Sequence, residues 1–83
     1  MTDNDTYTMA VEYTDTFGGE ANYTWVKRAT LTLDCGMSKA TISRRCKRAM
    51  RLTGIKGSMV HNGDTIEFRP YRSCTVMFAH VIY

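Results

Sequence analysis

Between positions 7 and 13, Tyr7, Met9, Val11 and Tyr13 alternate with Thr8, Ala10 and Glu12. A period of two sets the large side chains on one face of a strand. The following TDTFGGEA holds Asp15, Thr16, Gly18 and Gly19, which favour turns and positive φ, and predicts a reversal through a loop longer than a two-residue hairpin. A second extended run, Asn22 to Leu33, puts Tyr23, Trp25, Ala29, Leu31 and Leu33 in one register and Asn22, Thr24, Arg28, Thr30 and Thr32 in the other. The two runs are expected to pair as an antiparallel hairpin, with Tyr23 and Trp25 facing its core.

From Ser38 the period changes. Ile42, Cys46, Ala49 and Met50 fall at helical spacing on one stripe, and Arg44, Lys47, Arg48 and Arg51 occupy the opposite arc. The pattern predicts an amphipathic helix from Ser38 to Thr53, with Ser38 as N-cap and Gly54 as the residue that ends it. Downstream, Lys56 to His61 and Asp64 to Arg69 flank Asn62-Gly63, a pair that favours a two-residue type I′ turn. That turn sets Met59 opposite Ile66, Val60 opposite Thr65 and Ser58 opposite Glu67. Pro70 ends the strand, Tyr71 to Ser73 turn, and CTVMFAHVIY is apolar in both registers, which predicts a central or doubly covered strand. The fold class is therefore α+β, in the order β-β-α-β-β-β. An antiparallel sheet of four to five strands carries one amphipathic helix on one face.

The chain has 83 residues, 43% of them hydrophobic, which is one domain over residues 1–83 without repeat or linker. No window reaches the run of about 20 apolar residues that a membrane helix needs. A core this thin is compatible with a monomer or with a homodimer that adds burial. The odd count of three Cys, spread over helix and strand segments, predicts reduced thiols. MTDNDTYTM lacks a basic n-region and an apolar h-region, so a cytoplasmic location is expected.

Charge adds what the apolar pattern does not. Residues 1–34 hold six acids and two bases, and residues 35–83 hold nine bases and two acids, so a net −4 faces a net +7 within a total of +3. Six of those nine bases lie between positions 39 and 51. The scattered His61, His80, Cys35, Cys46 and Cys74 have no metal-ligand spacing, and no sequence feature activates a thiolate, although Cys46 or Cys74 could meet His80 in space. Gly18-Gly19 lacks the context of a phosphate loop. We expect no catalysis, no cofactor and no metal.

The basic helix has three readings: a solvated face, a nucleic-acid contact, or a docking face for an acidic or nucleic-acid-bearing partner. GMSKATISRR is similar to the turn and recognition helix of helix-turn-helix repressors, which would make Ser38, Lys39, Thr41, Ser43 and Arg44 the base readers. RATLTLD ahead of it alternates like a strand, so the match covers half the motif. At the Gly-rich loop, Phe17, Glu20 and Asn22 are candidate exposed contacts.

TDTFGGEANYTWVKRA, KRAMRLTGIKG and HNGDTIEFRPYRSCTVMF resemble small phage- and prophage-encoded proteins, and the chain's size and element order resemble small anti-CRISPR inhibitors of type I surveillance complexes. The resemblance covers about residues 7–80, with FGGEANYTWV its most specific stretch. It implies expression in the host cytoplasm, no catalysis, and stoichiometric binding to a Cas protein that blocks target DNA by steric or electrostatic occlusion. No site residues carry over from it. The net +3 departs from the acidic DNA mimics among such inhibitors. The partner-binding candidates, Arg44, Arg45, Lys47, Arg48 and Arg51 with Phe17, Glu20 and Asn22, rest on charge and loop position. The alternative is a small phage DNA-binding regulator that uses the same helix.

Overall fold

The computed structural model describes residues 6–82. Asp3, Asp5 and the N-terminal segment read for a leader, and the predicted end of the last strand at Tyr83, lie outside the described residues. The elements are β1 (Thr6–Phe17), β2 (Glu20–Asp34), α1 (Lys39–Ala49), β3 (Gly57–Asn62), β4 (Thr65–Pro70) and β5 (Thr75–Ile82). All the strands form one antiparallel sheet in the order β2-β1-β5-β4-β3. The strand that is apolar in both registers, β5, is thus central, and β2 and β3 are the edges.

Pairing fixes the faces. Tyr7, Met9, Val11 and Tyr13 share a side with Leu31 and Leu33 of β2, Met77 and Ala79 of β5, Ile66 and Phe68 of β4, and Met59 of β3. Met9, Val11, Leu33, Ile66, Phe68, Met77 and Ala79 form one buried cluster, and Cys46 and Met50 from the helix stripe belong to it with Leu52. Helix and sheet also meet through polar atoms. Ser43 Oγ lies 3.0 Å from His61 Nε2, and Lys47 Nζ sits 4.6 Å from the centroid of the Phe68 ring.

Four local expectations are corrected. The β1–β2 connection is a two-residue turn: Phe17 pairs Glu20, with φ of +62° at Gly18 and +86° at Gly19, the double positive φ of a type I′ turn. The missing loop length reappears inside β2, where pairing jumps from Thr14–Val26 to Thr16–Ala21 across an irregularity. There Tyr23 takes a φ of +58°, and Tyr23 and Trp25 are 47% and 40% exposed, so they flank the core without filling it.

The helix ends at Ala49, before Thr53. Leu52 N–H donates to Lys47 O and Arg51 N–H to Arg48 O, a Schellman closure that puts Arg51 at a φ of +59° and buries Leu52. Arg51 occupies the left-handed position expected of Gly54, which turns separately three residues on. The β3–β4 turn is centred on Gly63-Asp64 instead of Asn62-Gly63, so Met59 pairs Phe68, His61 pairs Ile66 and Val60 pairs Glu67. The slip is two residues, and every side chain stays on its predicted face.

Two stability outcomes follow. A Cβ built on Gly57 lies against Arg69 O and 2.7 Å from Pro70 Cα, so Gly57→Ala should destabilise by about 2 kcal/mol in chemical denaturation. Arg51→Gly should stabilise by about 0.5–1 kcal/mol by relieving left-handed strain at a non-glycine residue.

Candidate functional site

Ser38 opens α1 with extended backbone, and its hydroxyl accepts from Thr41 N–H at 3.2 Å. With Ile42, Cys46 and Met50 turned to the sheet, helical geometry sends Arg44 and Arg48 outward one turn apart, and both are exposed. Arg45 is half-buried at the side of the helix. Lys47 departs from its expected outward role. Its ammonium donates to Ile55 O at 2.6 Å above the Phe68 ring, so it anchors the chain after the helix while keeping its charge.

No salt bridge among the described residues neutralises the guanidinium groups of α1. Among the described residues the salt bridges are Arg28–Glu12 at 2.9 Å and Arg69–Glu67 at 2.6 Å, and neither uses a residue of α1. Arg44 Nη2 donates to Thr41 Oγ1 at 3.2 Å. Arg44, Arg45, Lys47 and Arg48 line a groove of about 420 Å³ with Thr41, Thr53 and Gly54, and no acid borders it. Arg51 lies apart from that groove, in a depression of about 250 Å³ shared with Lys27 and Arg28 of β2.

The hairpin candidates form a second group. Phe17 is 79% exposed and Glu20 is exposed at the β1–β2 tip. Asn22 instead serves the fold, because its Nδ2 donates to Asp15 Oδ2 at 3.1 Å, while Thr24 N–H donates to Oδ1 at 2.9 Å. Thr14 Oγ1 completes the clamp by accepting from Tyr23 N–H and donating to Trp25 O. Hydrogen bonds from Thr24, then Asn22, hold the Asp15 carboxyl down to about 2. The tip and the helix share no groove and no hydrogen bond among the described residues.

The helix-turn-helix pattern does not form here, because residues 28–34 belong to β2. Four of its five supposed readers make internal hydrogen bonds: Ser38 as the N-cap, Ser43 against His61, and Arg44 to Thr41. The Ser43–His61 contact is absent from the sequence-based expectations. Its signal was a hydroxyl on the inward arc, between Ile42 and Cys46, where a polar group needs a partner. Cys46 is buried, and its thiol is pushed up to about 11 by that burial against the opposing pull of Arg45, so it is inert as a nucleophile. Cys46 belongs to the core, whereas the register places His80 on the other face of the sheet. Cys74 precedes His80 by six residues of extended chain, about 20 Å, so that pair does not meet either.

No three metal-ligating side chains gather among the described residues, and no helix there is long and apolar enough to cross a membrane. No protein-family model, curated protein or solved structure matches the chain.

The Asp15 clamp gives a pH signature. A carboxyl lowered from 3.8 to about 2 stabilises the folded state above its ordinary value, and that contribution disappears as pH falls through about 2. The Thr24 amide shift should therefore titrate with a midpoint near 2 by NMR. In Asp15→Asn that titration should vanish.

Proposed function

We propose that the chain is an anti-CRISPR inhibitor that docks α1 on a Cas subunit of a type I surveillance complex, where that subunit receives DNA, and blocks target binding by occupying the site. The observation that carries this reading is the set of arginines on and after α1, Arg44, Arg45, Arg48 and Arg51, which no carboxylate neutralises among the described residues. Opposed desolvated charges fix the register of a docking and speed encounter, so such a surface suits an acidic rim or nucleic acid already held by the subunit. The acid-rich N-terminal part of the chain supplies the opposite charge, with exposed Glu20 at the β1–β2 tip. Phe17 beside it offers an apolar anchor of the kind that dominates binding energies. Such an inhibitor acts in the host cytoplasm, without cofactor or catalysis.

The chain should co-elute with a purified type I surveillance complex and abolish its binding of target DNA, with little affinity for free duplex. Arg44→Glu, Arg48→Glu and Arg51→Glu together should weaken inhibition by at least about tenfold while leaving the fold intact, since surface substitutions rarely unfold a domain. Unchanged inhibition by the folded triple variant would overturn the reading. Tight, steeply salt-dependent binding to free duplex would favour a DNA-binding regulator instead.

A further inference from the structure

We infer that the groove beside α1 binds the sugar–phosphate backbone of single-stranded nucleic acid. The inference rests on the reading of α1 as the docking element and adds what that element grips.

Three features of the groove point to phosphate. Arg44 and Arg48 stand one helical turn apart with Arg45 beside them, so three arginines line about 420 Å³ with no acid among the described lining residues. Three forks offer more donors than the two oxygens of one carboxylate accept, whereas successive phosphates present an oxygen pair to each. Lys47 adds a charge that cannot swing away, because Ile55 O and the Phe68 ring hold its ammonium in place. The hydroxyl of Thr53, also in the lining, is a further donor.

The choice of a single strand comes from size and from a neighbouring aromatic. The groove has the volume of an ordinary small-ligand site, which suits a short stretch of unpaired strand. The loop that anchors Lys47 through Ile55 O continues into Lys56, whose carbonyl accepts from Tyr71 N–H at 3.0 Å. Tyr71, 65% exposed and just outside the groove lining, is therefore held beside Lys56 of that loop. A positive track bordered by an exposed aromatic is the arrangement on which unpaired bases stack while their backbone is held.

Titration of the full chain with labelled tetrathymidylate, followed by fluorescence anisotropy, tests the inference, with tetraglutamate as the carboxylate control. We expect saturable binding of tetrathymidylate whose log affinity falls with log salt at a slope of about −2, as for three phosphate contacts on a single strand. Arg45→Ala with Arg48→Ala should lose at least about tenfold and Tyr71→Ala severalfold, while Lys27→Ala, on β2 outside the groove, should stay within about twofold. Equal binding of tetraglutamate, or an unaffected Arg45→Ala, Arg48→Ala variant, would overturn it. Inhibition of a surveillance complex that is lost on charge reversal, in a chain that never binds tetrathymidylate, removes this inference and leaves the docking proposal. Strand binding with inhibition untouched by the reversal does the opposite.

Discussion

A five-stranded sheet has two faces, and the described residues hold one helix with which to cover them. Most of the molecule follows from that shortage. Burial of apolar area is the main force available to a chain of 83 residues, so Cys46 and Met50 must meet Met9, Val11, Phe68 and Met77 in one cluster. Once the inner stripe of α1 is spent on that cluster, its remaining positions face water. The alternation in β1 and β4 and the helical stripe are thus two halves of one constraint, and the cationic arc is its outer consequence. Lys47 shows the boundary between them, with its ammonium over the Phe68 ring and tied to a backbone carbonyl.

The other face has no helix, and it is stabilised by different means. Glu12–Arg28 and Glu67–Arg69 lay ion pairs across it, and threonines from β1 and β2 fill much of the remainder. Exposed pairs of this kind add little energy individually; their larger effect is to keep the face hydrated and to disfavour its pairing with other surfaces. Among the described residues only Thr14 and Val76 are fully buried there, opposite each other in the β1–β5 ladder, and the irregular stretch of β2 bonds to Thr14. Thr14 survives burial because Tyr23 N–H and Trp25 O satisfy its hydroxyl, and Asp15 holds the next turn of the same stretch. Arg69 then reaches Gly19 O at 2.7 Å, tying the hairpin tip to β4.

What could be read from the chain was what depends on side-chain period, and what could not was what depends on backbone closure. The two-residue slip between β3 and β4 left Met59 and Ile66 on one face because the strand period is two, so the faces were legible even with the register wrong. The turn at Gly18-Gly19 was misjudged because the three extra residues needed to relax the hairpin were placed in the loop. They sit instead in a bulge that only Thr14 and Asp15, acting together, can hold. Arg51 in a left-handed conformation could not be foreseen from propensity, since burial of Leu52 and two closing hydrogen bonds outweigh its strain. For the candidate site, the location and sign of the charge were legible, and the outward placement of Arg44 and Arg48 followed from the stripe. The inward anchoring of Lys47, the structural use of Asn22 and the separation of Arg51 from the groove required the packing itself.

The basic arc is poorly explained as a device for stability. Arg44 and Arg48 stand at i and i+4 and Arg45 and Arg48 at i and i+3, spacings at which like charges on a helix repel by a few tenths of a kcal/mol per pair. The helix dipole offsets this for Lys47 and Arg48 in the last turn, but Arg44 and Arg45 lie farther back, and the first turn carries no acid to balance them. At Arg51 a glycine would relieve the backbone and remove a repulsive charge at the same time. A helix that did no more than cover the sheet would be served better by glutamates interspersed among these positions, as on ordinary amphipathic surfaces. Several local rules are broken together here, all in one direction of charge, so the composition of the arc does not follow from the stability of the helix.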